Sequence, residues 1–164
     1  EYSQPTENGT FKVTSYKDTT KGGTHLAMVM GEPKEDEPTL VRVHITDPVR
    51  DVIGLCDLAD PKWNLKAAMK KVADEGSGVV VLLGSNEPDD LSASLDAYLN
   101  KTTLKKNINT DGAGSYLTIG TGSQILRDQG VGKMRLLSAP TRFNALSGFD
   151  LEIIEFIQFQ PEQA

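Results

Sequence analysis

The stretch NLKAAMKKVADEGSGVVVLL, residues 64–83, decides the fold. Its first half predicts a helix over residues 64–74 with Asn64 as the N-cap. Apolar side chains there follow the i, i+3, i+4, i+7 spacing of one helix face: Leu65, Ala68, Met69 and Val72. After Gly76 and Gly78, residues 79–83 form a continuous apolar run, which is typical of a strand buried on both faces. A helix followed by a buried strand predicts α/β packing.

Ahead of this unit, the sequence is rich in predicted strands. Alternating or apolar runs predict strands over residues 11–16, 25–30 and 39–45, with a glycine turn before the second. Residues 31–38 are acidic and contain two prolines, so we expect an exposed loop. Residues 47–61 mix Asp and Pro with short apolar runs, and we expect irregular structure there.

The C-terminal half alternates predicted helices with apolar strands. A helix over residues 88–99 would hold Pro88 in its first turn, where carboxylates at Asp89 and Asp90 suit the helix dipole. The remaining expectations are a polar loop at 101–115, a helix at 122–129, strands at 134–137 and 151–159, and a loop or short helix at 140–146. We therefore expect an α/β fold, a mixed β-sheet covered by helices, in a single domain spanning residues 1–164.

Composition narrows the classes of function. The 164 residues carry a formal charge of −6, and the basic cluster of Lys101, Lys105 and Lys106 is too small for a nucleic-acid surface. No apolar run approaches the ~20 residues of a membrane span. The single cysteine, Cys56, cannot form an internal disulfide, and we expect a cytoplasmic domain. The absence of an initiator Met suggests a fragment of a longer chain.

Histidine and cysteine, the residue types of zinc and thiol sites, are scarce. Zinc sites need three or four converging ligands, whereas His25, His44 and Cys56 have no metal-like spacing. We expect both histidines to be packing or surface residues and Cys56 to be a small buried side chain. Residues 120–123 (GTGS) offer a possible anion site before a helix, but a tight turn capped by Ser123 is the favoured interpretation.

Three segments nevertheless resemble the GTP cyclohydrolase II family of riboflavin biosynthesis. They are VRVH at residues 41–44, GTGSQILRDQGVGKMRLL at 120–137 and LSGFDLEIIE at 146–155. The resemblance can be followed from about residue 4 to about residue 160, and it implies the fold of that family.

The resemblance also implies a loss of activity. Family members hold GTP against zinc through three cysteines, and the matching positions here are Asp47, Ala59 and Pro61. Alanine and proline cannot coordinate a metal, so we expect no zinc cofactor and no activated water. The family arginine implicated as the nucleophile toward the α-phosphate aligns with Leu117.

The resemblance implies that part of the family's ligand pocket persists. The resemblance places five residues in a possible remnant pocket, for which structural retention of the strand and loop is the favoured interpretation: Arg42, His44, Glu87, Ser138 and Arg142. Ser138 replaces a nucleotide-contacting threonine, Arg142 replaces a lysine, and the stretch 86–89 replaces a phosphate-binding Glu-Gly-Arg loop.

The family also suggests partners and alternatives. Some members are the C-terminal half of a chain whose N-terminal half is 3,4-dihydroxy-2-butanone 4-phosphate synthase. We therefore expect a structural or regulatory domain that forms a homodimer, has a synthase domain as its candidate covalent partner, and contacts neither nucleic acid nor membrane. One alternative is an active cyclohydrolase with Asp47, Cys56 and His44 as substitute ligands. Another is a sensor of a nucleotide or pathway intermediate.

Overall fold

A computed structural model describes residues 1–84, 90–101, 112–141, 143 and 146–161, with the backbone alone at 112–119 and 147. The strands are β1 Tyr2–Thr6, β2 Gly9–Lys17, β3 Thr24–Met30, β4 Pro38–Ile45, β5 Gly78–Leu83, β6 Lys133–Leu137 and β7 Glu152–Ile157. The α-helices are α1 Leu65–Glu75, α2 Leu91–Leu99 and α3 Gly112–Asp128. A π-helical turn, Val49–Ile53, and a 3₁₀ turn, Leu146–Phe149, complete the elements.

All seven strands form one sheet in the order β1-β2-β3-β5-β4-β6-β7. The neighbouring pairs β1–β2, β2–β3 and β3–β5 are antiparallel. The pairs β5–β4, β4–β6 and β6–β7 are parallel. The sheet separates two cores. Helix α3 packs on one face through Ile125 and Leu126, and helix α1 packs on the other through Ala68 and Val72. The expected mixed sheet covered by helices in a single domain is confirmed.

The helix and strand in residues 64–83 fold as the sequence predicts. The side chain of Asn64 accepts a hydrogen bond from the Ala67 amide at 2.7 Å, and Gly76 ends the helix in the left-handed conformation with φ of 78°. Strand β5 follows with nearly all of its residues buried. Local caps and apolar spacing therefore mark the bounds of this helix and strand in the sequence.

The third helix is longer than expected, and two predictions are wrong here. Helix α3 begins at Gly112, so residues 112–115 are helical, and residues 120–123 lie inside the helix instead of forming a turn before it. A Cβ atom at Gly122 would lie 3.2 Å from Val43 Cγ1. The glycine at this position therefore lets the helix approach the sheet closely, and such packing outweighs its low helix propensity.

Smaller corrections concern the remaining segments. Helix α2 begins at Leu91, where Asp90 caps it by accepting a hydrogen bond from the Ala93 amide at 3.1 Å; Pro88 lies outside the described residues. The segment 47–61, expected to be irregular, contains the π-helical turn. Cys56, expected to be buried, is exposed. The N-terminal edge strand β1 was not among the predicted strands.

The connections of the parallel strands create a natural crevice. From the carboxyl end of β4 the chain crosses through α1 to β5 on one side, and from the carboxyl end of β6 it continues to β7 on the other side. Because these crossovers run in opposite directions, the carboxyl ends of β4 and β6 form a topological switch point, where open α/β sheets usually bind ligands. No helix in the described part of the chain is both long enough and apolar enough to cross a bilayer.

Candidate functional site

The candidate site lies at the carboxyl end of β4. Arg42 and His44 are two residues apart on this strand, so their side chains share the sheet face that α1 covers. His44 is fully buried, and Arg42 is half-buried. The two retained residues of the Arg-Val-His segment therefore point into one location at the switch point.

Arg42 joins β4 to its neighbours through its guanidinium group. Its Nη1 atom donates to the carbonyl oxygen of Leu137 at 2.8 Å, which ties the ends of β4 and β6 together across the crevice. Its Nη2 atom lies 3.5 Å from the carbonyl oxygen of Trp63, and its Nε atom donates to His44 Nδ1 at 3.2 Å. The cation is thus held by neutral acceptors and not by a carboxylate.

Asp51 supplies the negative charge of the site from the π-helical turn. Its Oδ2 atom lies 2.9 Å from His44 Nε2 and accepts the Asp47 amide at 2.8 Å. Its Oδ1 atom accepts the Leu65 amide at 2.9 Å, at the start of α1. One carboxylate therefore fixes the end of β4, the turn and the first residue of α1 relative to one another.

These contacts determine the tautomer of His44. Since Arg42 donates to Nδ1, the proton of the neutral imidazole is on Nε2, where it is donated to Asp51. Arg50 completes the cluster by donating from Nη2 to the Ile45 carbonyl at 2.6 Å and to Asp51 at 3.0 Å. Two arginines and one aspartate leave a net charge of +1 around a neutral histidine.

The pKa values reflect burial as well as pairing. Burial lowers the pKa of His44 despite the opposing hydrogen bond to Asp51. Burial likewise lowers the pKa of Arg42 to about 10, and repulsion from Arg50 contributes. Burial alone would raise the pKa of Asp51, but the bonds from His44, Arg50 and the Asp47 amide hold it well below its usual range. The cluster therefore favours neutral His44 beside ionised Asp51.

The structure brings together some of the sequence-predicted pocket residues. Ser138 directly follows Leu137, whose carbonyl Arg42 contacts, and it is partly buried with its Oγ atom donating to the Ala139 carbonyl at 2.9 Å. Glu87 and Arg142 lie outside the described residues. Sequence reasoning did not single out Arg50 and Asp51. The signal that could have found them is their adjacent opposite charges within the segment 47–61, which was expected to be irregular.

The positions that match the family's zinc ligands have other structural roles. Asp47 Oδ1 accepts the Val49 amide at 3.0 Å, just before the π-helical turn. Ala59 lies in a turn, where its backbone amide donates a hydrogen bond to Asp57 Oδ1 at 2.9 Å. Neither Ala59 nor Pro61 has a side-chain donor atom, so this set does not fit a zinc ion.

The substitute ligand set proposed for an active enzyme is not assembled either. Asp47, Cys56 and His44 do not form a group able to hold a metal, and no such group of three His, Cys, Asp or Glu side chains occurs among the described residues. The imidazole of His44 has both ring nitrogens engaged by Arg42 and Asp51. The side chain of Leu117 lies outside the described side chains.

A second polar cluster lies on the other sheet face. Tyr16 donates its hydroxyl hydrogen to Asp128 and accepts a hydrogen bond from the side-chain amide of Gln129. Burial, reinforced by Asp128, raises the pKa of Tyr16 to about 12. His25 is also buried there, with its Nδ1 atom accepting the Gly84 amide at 3.1 Å. These contacts tie β2 to α3 and β3 to the end of β5, which is the packing role expected for His25.

Comparison with known proteins identifies the family. The chain matches the sequence profile described as GTP cyclohydrolase II over residues 1–158. It therefore belongs to the GTP cyclohydrolase II family.

Individual relatives are named for another activity. The chain is 49% identical over 152 residues to a 3,4-dihydroxy-2-butanone 4-phosphate synthase of Pseudomonas aeruginosa, covering 92% of this chain and 40% of the relative. It is 35% identical over 167 residues to the riboflavin biosynthesis protein RibBA of Aquifex aeolicus, covering 96% and 40%. A crystal structure of RibBX, a two-domain 3,4-dihydroxy-2-butanone 4-phosphate synthase from A. baumannii, superposes with a TM-score of 0.67 at 38% identity, covering 95% and 38%. The chain thus spans about two fifths of the length of these relatives.

Proposed function

We propose that this domain has lost the zinc-dependent hydrolysis of GTP and has a structural or regulatory role beside a 3,4-dihydroxy-2-butanone 4-phosphate synthase domain. The proposal places it in riboflavin biosynthesis, without a zinc cofactor, in the cytoplasm. It rests on the family membership together with the chemistry of the positions where active members carry their ligands.

The observation that carries the proposal is the engagement of the site's polar groups with one another. His44, the imidazole retained from the family segment, is fully buried and has both ring nitrogens hydrogen bonded to Arg42 and Asp51. Asp47, at a zinc-ligand position, accepts the Val49 amide instead. A metal would have to displace these hydrogen bonds and would still lack the thiolates that bind zinc tightly.

The names of the relatives support the synthase setting. The relative from Pseudomonas aeruginosa and the solved two-domain RibBX are both named 3,4-dihydroxy-2-butanone 4-phosphate synthase. This chain covers only 40% of the first and 38% of the second. These names support the proposal that a neighbouring synthase domain supplies the named activity.

The test measures zinc by elemental analysis on protein purified without chelators, together with GTP turnover. A zinc-containing family member, prepared in parallel, serves as the positive control. We expect substoichiometric zinc and no turnover above background. One tightly bound zinc per chain with GTP turnover would refute the proposal. The regulatory role is tested by comparing synthase activity in a chain that contains both domains with that of the synthase domain alone.

A sensor of an anionic ligand is the second candidate. Arg42 and Arg50 give the switch point a net positive charge with a single carboxylate, Asp51, between them. Such a site favours a phosphate-bearing ligand. A ligand that binds only the native state at 100 times its Kd adds about 2.7 kcal/mol of stability. Thermal stabilisation by GTP that disappears in Arg50→Ala but persists in Lys133→Ala would support the sensor; equal stabilisation of both variants would exclude this pocket.

A further inference from the structure

A side chain holds the carboxyl end of β5 against β3, beyond the point where the backbone ladder stops. The ladder between these two strands ends where Leu26 lies opposite Leu82. One residue earlier on β3, the ring of His25 continues the pairing, because its Nδ1 atom accepts the Gly84 amide at 3.1 Å. We call this contact the His25–Gly84 bond. It fixes the first residue after β5 to the neighbouring strand.

The backbones of Gly84 and β3 are in direct contact at this place. A Cβ atom at Gly84 would lie 2.1 Å from the carbonyl oxygen of Thr24. A Cβ atom at Gly23 would lie 3.3 Å from the carbonyl oxygen of Gly84. Two glycines therefore allow the close approach, and the buried ring of His25 supplies the acceptor that the Gly84 amide needs there.

The His25–Gly84 bond requires a neutral imidazole. Because Nδ1 accepts a hydrogen bond, the single proton of the neutral ring is on Nε2. A second proton would have to bind Nδ1, where it would face the N–H group of Gly84. An imidazolium ring has two donors and no acceptor, so the bond cannot persist when the ring is protonated.

A carboxylate lies where it would stabilise the protonated ring. The Nε2 atom of His25 is 4.0 Å from Asp18 Oδ2, which is beyond hydrogen-bonding distance, and it has no hydrogen-bond partner among the described residues. Asp18 Oδ1 accepts the amides of Lys21 and Thr20, and these bonds lower the pKa of Asp18. A protonated ring would therefore gain an ion pair on one side while it loses Gly84 on the other.

The other charged and titratable groups near the ring come from the loop before β3, from β2 and from α3. Tyr16 of β2 lies directly opposite His25 in the strand register, and its hydroxyl group donates to Asp128 of α3. Lys21, in the loop, also acts on the charge of Asp18. Strand β5 has no titratable side chain. In the described part of the chain, Asp18 is the carboxylate that lies within 4.0 Å of the ring.

We propose that His25 is a pH-sensitive switch at the carboxyl end of β5. The neutral ring holds Gly84 against β3, and the protonated ring releases Gly84 and pairs with Asp18. The proposal goes beyond the proposed function, because the switch operates whether or not the domain binds zinc or GTP.

The switch lies close to the candidate site. Leu83, the last residue of β5, is paired with Ile45 at the end of β4. The carbonyl oxygen of Ile45 accepts the hydrogen bond from Arg50. Release of Gly84 would therefore loosen the strand end next to the charged cluster, so that acidification acts on the crevice from the side of β5.

Nuclear magnetic resonance of the full chain, labelled with ¹⁵N, tests the switch in the unchanged protein. At the alkaline end of a titration from about pH 8 to about pH 5, the His25 ring should carry its proton on Nε2. The Gly84 amide signal should then shift with the same midpoint as the ring. Its protection from hydrogen exchange, corrected for the intrinsic pH dependence, should fall about tenfold, the equivalent of one typical hydrogen bond. A proton on Nδ1, a ring that stays neutral throughout, or a Gly84 amide that does not follow the ring would overturn the proposal.

Four variants separate the switch from a general effect of acid. His25→Asn offers Oδ1 in place of Nδ1 and does not titrate, so Gly84 should stay protected without a midpoint, whereas His25→Ala should leave Gly84 unprotected at every pH. Asp18→Asn still accepts the loop amides but carries no charge, so it should lower the Gly84 midpoint. His44→Gln is the matched control, since it removes the only other histidine and should leave the midpoint unchanged. A Gly84 midpoint that persists in His25→Asn, or one that disappears in His44→Gln, would assign the effect to another group and refute the switch.

Discussion

Replacing Asp51 should be the most damaging change at the candidate site. Its carboxylate is 6% exposed and accepts hydrogen bonds from the His44 ring, the Arg50 side chain and the amides of Asp47 and Leu65. In Asp51→Ala these donors lose their acceptor together. Removing one partner of a buried charged network typically costs 3–5 kcal/mol, since the groups left behind stay desolvated.

The size of the stability loss in Asp51→Ala depends on which of these hydrogen-bond donors can reach water instead. Arg50 is 23% exposed, so its guanidinium can turn outward at little cost. His44 cannot, because it is fully buried, and the Asp47 and Leu65 amides are held by the turn and the helix start. Each buried donor without a partner costs about 1–3 kcal/mol. We expect Asp51→Ala to lower the free energy of unfolding by about 4 kcal/mol, a large part of the ~5–15 kcal/mol typical of a domain.

The assay is urea unfolding followed by tryptophan fluorescence and circular dichroism at pH 7. Asp51→Asn should be about half as damaging as alanine, because it keeps one carbonyl acceptor. Asp74→Ala is the matched control: this carboxylate is 61% exposed and pairs with Lys70 on α1, and such a surface pair contributes less than about 1 kcal/mol. If Asp51→Ala costs no more than Asp74→Ala, the reasoning about the buried network is wrong.

The same carboxylate should shape the response to acid. Its folded-state pKa lies below the unfolded value of about 3.9, so the stability it contributes is present above that pH and is lost as the pH falls further. Asp51→Ala should therefore flatten the loss of stability below pH 4. If the loss of stability below pH 4 is as steep in this variant as in the unchanged protein, other carboxyl groups cause it and the reasoning about Asp51 is wrong.

Three further predictions test the other contacts. Because burial lowers the pKa of His44 below about 6.5, stability should fall as the pH drops from 7 to 5, and His44→Gln should reduce that slope, measured by urea titration at each pH. Tyr16→Phe should lower the free energy of unfolding by about 1 kcal/mol, because the hydrogen bond to Asp128 is lost. In an ultraviolet titration, the variant should lack the one tyrosine that titrates near 12. Because the pKa of Tyr16 is raised in the folded state, the stability that Tyr16 contributes should be lost as the pH rises above about 10. Gly84→Ala should destabilise by more than about 2 kcal/mol in thermal unfolding, since its Cβ would lie 2.1 Å from a carbonyl oxygen of β3, whereas Gly148→Ala, with open space around it, should be neutral.

Much of the fold could be predicted because its signals are local. The cap at Asn64, the stripe of α1 and the run of β5 each depend on residues a few positions apart, and the structure reproduces all three. The alternation in β2 and the apolar runs of β3 and β4 were equally informative. Where local signals misled, as at residues 120–123, a distant strand decided the outcome, because Gly122 packs against Val43.

The candidate site could be predicted only in part. Sequence reasoning singled out Arg42 and His44 from a family resemblance, and the strand period places them on one face. It did not single out Asp51. The contact of Asp51 with His44 requires the chain to reverse through a π-helical turn, and no periodic pattern in the sequence predicts that turn. Nor could it foresee that Cys56 is exposed, since an apolar run around a cysteine is usual for buried thiols.

The sequence by itself determined the helices and strands with strong caps and periods, the family, and the replacement of ligand-type residues by alanine and proline. Only the tertiary structure decided how polar groups are paired and which apolar faces are covered. Hydrogen bonds such as those of Asp51 join residues from three elements, and the outward turn of the α2 leucines depends on which face the rest of the molecule leaves room for. Both are properties of packing between distant segments, which nearest-neighbour patterns in a chain do not encode.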